Sequence, residues 1–175
     1  PQGRPKAVDL APCKERVFCV GRLDAETTGL ILLTNDAELA NRLTHPRYEL
    51  PKTYEVTIRG RMEGDDIEKL KKGVWLSEGK TERAAVRILR RTPLETILEI
   101  SIRQGLNRQV RRSFARLGYK VKAIKRTRIG EIELKGIPRG QCKPPSPAQL
   151  AYLYRATGLK TQRKAPSNTK NTREK

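Results

Sequence analysis

A carboxylate works as a nucleophile or base when it is kept ionised, and a nearby cation does that. One stretch of the 175-residue chain offers the combination: Gly21-Arg22-Leu23-Asp24, followed by Ala25-Glu26-Thr27-Thr28-Gly29. Asp24 lies two residues from Arg22 and beside apolar sequence. An aspartate in a polar loop more often caps its own turn, so spacing alone leaves both uses open. A second candidate is Tyr54 in Lys52-Thr53-Tyr54-Glu55-Val56. On the apolar face of a strand a tyrosine is usually core, but it is also a platform on which an unstacked base can lie. The third is the run from Ile102 to Arg112 and the helix it opens. At ~100° per residue, Val110, Phe114 and Leu117 share one face. Arg108, Arg112 and Arg116 share the opposite face at i, i+4, i+8, a spacing suited to phosphate contacts. Arg111 falls at the border of the apolar stripe, where a half-buried guanidinium needs a carboxylate partner.

The elements that must position these groups can be read from periodicity. Val17–Val20 and Leu30–Leu33 are short apolar runs of strand type. Asn35, with Glu38 three residues on, predicts a capped helix that stops before Pro46. Lys52–Ile58 alternates, with Tyr54, Val56 and Ile58 on one face. Asp65–Lys72 reads as a helix with a capping box and Gly73 as its stop. Ala85–Leu89, Thr96–Ile102, Val121–Ile124 and Ile129–Leu134 read as strands, and Asn107–Leu117 as a helix. Ser146-Pro147-Ala148-Gln149 opens a last helix that should bury Leu150, Leu153 and Tyr154. Strands and helices mix without strict alternation, and most strands are short and two-faced. That pattern predicts an α+β fold with a mixed, largely antiparallel sheet and flanking helices.

Lys and Arg number 38 against 19 Asp and Glu, a net charge of +19. Such a chain repels itself unless a polyanion is at hand, which points first to nucleic acid. Between Arg103 and Arg128 there are ten basic residues and no acidic one, interleaved with apolar positions. That stretch should fold and carry its charge on a surface. Lys160–Lys175 is also basic but lacks apolar periodicity, and it reads as a disordered tail. No apolar run approaches the ~20 residues of a membrane helix. Cys13, Cys19 and Cys142 are too few for a disulfide scaffold and lack zinc-site spacing. They are expected as small buried residues in a reduced, cytoplasmic setting. No Gly-rich phosphate loop is present, and the single histidine, His45, precedes a proline.

Taken together, GRLDAETTGLILLTND, KTYEV, QGLNRQVRRSFARLGYKV and KRTRIG resemble the pseudouridine synthases that modify ribosomal RNA at single sites. The likeness runs from about Val17 to Leu150, and the NRQVRR and KRTRIG forms look more like the large-subunit branch. It implies that residues 1–159 form the catalytic domain. It implies Asp24 as the catalytic aspartate, Tyr54 as the active-site tyrosine that stacks on uracil, and Arg111 as the ion-pair partner of Asp24. Arg22 would help displace the flipped base, and Ile102 would line the pocket. Arg108, Arg112 and Arg116 would bind the substrate. No metal or other cofactor is implied, because isomerising uridine neither oxidises nor adds anything. The implied partner is ribosomal RNA, acted on by a monomer with no membrane involved.

The sequence departs from the family pattern at Ala37, Leu106 and Ser113 and in the stretch GQCKPPSPAQL. None of these falls on the implied catalytic set. Family members carry a small RNA-binding domain and a strand with a Lys-Pro motif ahead of the catalytic loop. Neither is visible here, which predicts an exposed sheet edge. A rival expectation is a catalytically silent RNA-binding or ribosome-assembly protein on the same scaffold.

Overall fold

The computed structural model describes residues 6–13, 15–48 and 50–160. A short 3₁₀ turn at Ala7–Leu10 leads into β1 (Phe18–Val20), β2 (Thr27–Gly29) and β3 (Leu32–Thr34). Next come α1 (Ala37–Thr44), β4 (Lys52–Arg59), α2 (Gly64–Lys72), β5 (Trp75–Leu76) and β6 (Gly79–Lys80). The rest is β7 (Ala85–Arg91), β8 (Glu95–Ile102), α3 (Gln109–Arg116), β9 (Val121–Ile129), β10 (Ile132–Glu133) and α4 (Pro147–Ala156). The main sheet has the order β10-β9-β4-β8-β7. β2 pairs parallel with β9 off this path, on the edge of β9 away from β4, while the remaining ladders are antiparallel. β1 with β3, and β5 with β6, form separate antiparallel pairs. The expected α+β class, with its mixed and largely antiparallel sheet, is the observed one.

Alternation builds the centre. In β8 every second residue, Thr96, Leu98, Ile100 and Ile102, is buried. Val56, Ile58, Leu98, Ile100, Val110 and Phe114 pack in one cluster, which fixes α3 to the sheet. Each such side chain contributes about 1.5–3 kcal/mol on burial. A second cluster joins Val20, Leu30, Leu39, Leu43, Ile129 and Leu153, and so ties β1, α1 and α4 to the end of β9. Val17, Val20, Leu32, Leu39, Leu134 and Leu150 help line an open groove of about 1170 Å³ beside this cluster.

Several expectations needed correction. The expected Ile129–Leu134 strand is divided by a turn and leaves only Ile132–Glu133 as β10, while Val121–Ile124 is only the start of β9, which runs unbroken through Lys125-Arg126-Thr127-Arg128 to Ile129. The apolar pattern fails there since the inward residue at that point is a buried arginine, Arg126. The strand in the LILL run begins only at Leu32, and of its leucines and isoleucine only Leu30 is buried. Asp36, not Asn35, caps α1, accepting from Leu39 N at 2.9 Å, while Asn35 donates to Glu15. α2 starts from Glu63 without a side-chain cap; Tyr119 OH donates to Asp66 instead, at 2.8 Å. α3 begins at Gln109, because Arg108 adopts a left-handed conformation that cannot continue a helix. The box at Ser146 and Gln149 forms as read, but Leu150 is 37% exposed, as α4 turns Leu153 and Tyr154 inward. All three cysteines are exposed, since Cys13 and Cys142 lie in irregular segments and Cys19 faces away from buried Val20. The tail expected from Lys160 falls, from residue 161 on, outside the described residues.

Candidate active site

The loop from Gly21 to Glu26 joins β1 to β2, and β9 holds it from behind. Gly29 pairs with Arg126 in the parallel ladder at φ +113°. A Cβ there would sit 2.2 Å from the Arg126 carbonyl oxygen, so only glycine allows this approach. Leu30 N donates to that carbonyl at 2.8 Å. The Arg126 side chain answers in the other direction. Its Nε donates to Leu30 O at 2.7 Å and its Nη1 to Arg22 O at 3.2 Å. Arg126 is only 3% exposed, and its Nη2 is buried without a hydrogen-bond partner among the described residues. One buried guanidinium therefore grips both ends of the loop through main-chain oxygens.

α3 holds the loop from the other side. Arg111 Nη2 donates to Glu26 O at 2.9 Å, and its Nε lies 3.4 Å from the Glu26 carboxylate. Arg108 Nη2 reaches the same carboxylate at 3.4 Å. Arg108 carries the positive φ of 47° that starts the helix, a conformation rare outside glycine. Buried Gln109 steadies this entry by accepting from Leu106 N at 3.1 Å and donating to Gln104 Oε1 at 3.2 Å. Within the loop, Thr27 N donates to Asp24 O at 2.9 Å and closes a tight turn. Asp24 thus sits between three anchored points, Arg22, Glu26 and Leu30. It is half-buried, and its carboxylate makes no hydrogen bond or ion pair among the described residues. The ion pair expected between Arg111 and Asp24 is not formed here. Arg111 pairs two residues further on, because the closed turn presents Glu26 to α3.

Tyr54 stands opposite Arg126 in the β4–β9 ladder and opposite Ile100 in the β4–β8 ladder. Opposed residues of an antiparallel pair share a face, so the tyrosine lies on the side of the sheet that carries the loop's anchor. It is half-buried, packed against the α3 cluster on one side and partly open to solvent on the other. Ile102 ends β8, buried and opposite Lys52. Lys52 Nζ lies 3.4 Å from the carbonyls of Leu50 and Arg103. Burial, helped by the charge of Arg126, pushes the Lys52 ammonium below its usual range.

The outer arginines divide. Arg112 is not free for phosphate: it pairs through both Nη atoms with Glu78 and donates to Ser77 Oγ at 2.7 Å. That guanidinium, with Ser77, drives the Glu78 carboxyl down to about 2. Arg116 is exposed and makes no ion pair among the described residues. The stretch without acidic residues is therefore not acid-free in space, since Glu26 and Glu78 arrive from distant sequence. Arg22 offers its carbonyl to the loop's anchor while its side chain is exposed. Sequence reading missed Arg126, Glu26 and Lys52. The signal for Arg126 was present, a basic residue at an inward position of a strand-like run, but a buried charge resembles a break in the pattern. Among the described residues no group of three or more His, Cys, Asp or Glu could hold a metal ion.

A family model described as RNA pseudouridylate synthase matches residues 6–116. The chain belongs to that family. An RNA pseudouridine synthase of Aquifex aeolicus is 41% identical over 161 residues, covering 91% of this chain and 65% of the relative. The ribosomal large subunit pseudouridine synthase B of Bacillus subtilis is 38% identical over 141 residues, covering 79% of this chain and 58% of the relative. Among solved structures, one titled as a crystal structure of pseudouridylate synthase superposes with a TM-score of 0.79 at 30% identity. That match covers 85% of this chain and 65% of the other. This chain thus spans less than two thirds of the length of each of these relatives. The matched span of the family model takes in the Asp24 loop, Tyr54 and α3, and it ends before Arg126.

Proposed function

We propose that this chain isomerises a uridine of ribosomal RNA, of the large subunit, to pseudouridine. The reaction breaks the bond from C1′ to N1, turns the uracil, and joins C1′ to C5. The proton leaves C5 and another is taken up at N1, so atoms and electrons balance without an added reactant. The target base must first leave its stack. Asp24 then acts as the nucleophile, at C1′ or on the base ring, while Tyr54 lies against the uracil and accepts the C5 proton. Ile102 forms an apolar wall of the pocket, and Arg22 fills the place of the flipped base. Arg108, Arg111 and Arg116 supply positive charge for the backbone, with Arg111 holding the Asp24 loop through Glu26.

The observation that carries this reading is an uncommitted, half-buried carboxylate on a loop clamped through its main chain. A turn-capping aspartate would have spent its oxygens on the backbone, whereas here the turn closes on the carbonyl of Asp24 and leaves the carboxylate available. The support from relatives is their family and, for the Bacillus subtilis protein, its name. The test is release of tritium from C5 of uridine in unmodified large-subunit RNA, followed by mapping of the pseudouridine. Tritium release at one position is expected. Tight RNA binding without any release would favour the silent RNA-binding scaffold and overturn the proposal.

A further inference from the structure

The chain has one tryptophan, and it is turned outward: Trp75 is 65% exposed. Its exposure follows from the hairpin that carries it. Val74 and Thr81 are both buried and lock the base, Thr81 N donating to Val74 O at 2.9 Å and Val74 N to Thr81 Oγ1 at 3.0 Å. With Val74 inward, alternation sends Trp75 to the solvent side. Lys80 is its directly opposed partner across β5 and β6, and opposed residues share a face. Trp75, Leu76 and Ser77 face Arg112, Ala115 and Arg116 of α3 across a shallow depression of about 390 Å³. Glu78, next to Ser77 in the hairpin, is neutralised by its pairing with Arg112. Arg116, which lines the depression with Trp75, and Lys80, the cross-strand partner of Trp75, are left exposed.

We propose that Trp75 is a stacking platform for an unpaired RNA base, with Arg116 and Lys80 taking the adjoining phosphates. The inference rests on the reading of the substrate as RNA and adds a site to it. An exposed indole flanked by uncommitted cations is the combination that single-stranded nucleic acid uses, since every base has a face to stack and every linkage a charge. The position fits a base beside the target and not the target itself. Arg108 touches the catalytic loop at Glu26, and Arg116 at Trp75 lies about 12 Å further along the helix axis. The Arg112 clamp to Ser77 and Glu78 holds the hairpin in place before RNA arrives, which lowers the ordering cost of binding.

Because Trp75 is the sole indole, its fluorescence reads the site directly. The full chain is titrated with single-stranded oligouridylate and, separately, with inorganic polyphosphate, which has charge but no bases. Binding is followed in parallel by anisotropy of labelled RNA. Quenching by oligouridylate and not by polyphosphate is expected. Trp75→Ala should weaken oligouridylate binding on the order of tenfold to a hundredfold, with Trp75→Phe close to wild type. Arg116→Gln should flatten the salt dependence by about one charge. RNA that binds while the indole is unmoved and Trp75→Ala binds normally overturns this site and leaves the isomerase reading intact. Equal quenching by polyphosphate also overturns it. Absence of RNA binding overturns both readings, whereas quenching without tritium release supports this site alone.

Discussion

Two segments of this molecule are held by arginines, by different means: one by Arg126 of β9 with Arg111 of α3, the other by Arg112 of α3. The Asp24 loop is gripped through its own main chain: Arg126 takes the carbonyls of Arg22 and Leu30, and Arg111 that of Glu26. The β5–β6 hairpin is gripped through a side chain, Glu78, by Arg112 at the surface. The first arrangement uses no aspartate oxygen, so the Asp24 carboxylate stays available for chemistry. The second consumes its carboxylate entirely, and Glu78 is a strut. Depth matters as well. Arg126 is almost wholly buried, where a lost donor strands its acceptors, while the Glu78 pair is open to water and salt.

The largest effect should come from the free carboxylate. Asp24→Asn keeps shape but removes the charge and the proposed nucleophile, and should lower tritium release by several powers of ten. RNA affinity by anisotropy should stay near wild type; retention of even a tenth of the rate would break the assignment. Next comes the buried anchor. Arg126→Met leaves two carbonyls without donors at a cost on the order of 1–3 kcal/mol each, visible as a lower Tm. Gly29→Ala should act in the same direction, since its methyl meets the Arg126 carbonyl. Arg112→Met, the matching change at the hairpin, should lower Tm less than either. Equal losses would erase the contrast between the two clamps.

Smaller effects sharpen it. Glu26→Gln removes an exposed charge but not the Glu26 carbonyl that Arg111 uses, so single-turnover rates should fall less than about fivefold. A larger fall would mean that the carboxylate, and not the main chain, sets the loop. The hairpin clamp should also be acid-labile. The Glu78 carboxyl titrates near 2 when paired against an ordinary 4.5, so its pairing stabilises above about pH 4.5. That contribution is lost as pH falls from 4.5 toward 2. Trp75 fluorescence should report the change in that window, the midpoint should rise with added salt, and Glu78→Gln should lack it. A midpoint indifferent to salt would show that something other than the pair is titrating.

Much of this was legible in the residues. The alternation in Lys52–Ile58 and Thr96–Ile102 gave the two central strands nearly to the residue, because apolar side chains there face one core. The Ser146 capping box was equally plain, since a cap is a local agreement between neighbours. What stayed hidden was non-local. Nothing near Arg126 in sequence says that its side chain ends on carbonyls of residues 22 and 30. Nothing near Arg112 says that Glu78 will meet it, so a stripe read as a phosphate-binding face proved partly occupied. The expected Arg111–Asp24 pair failed by two residues for the same reason, as a turn decided which carboxylate faced α3.

The parallel pairing of β2 with β9 has a consequence for how the site comes into being. The residues it pairs, such as Gly29 and Arg126, lie about a hundred positions apart in the chain. Closing a loop of that length costs roughly 4 kcal/mol in chain entropy, to be met before any contact rewards it. The local hairpin of β7 and β8 faces no such delay. A growing polypeptide therefore carries Asp24 long before it can hold Asp24 in place. Only after Arg126 has been added does the loop have its rear anchor, so the loop is set in place after β4, β7 and β8 have been made and together with the strand that completes their sheet.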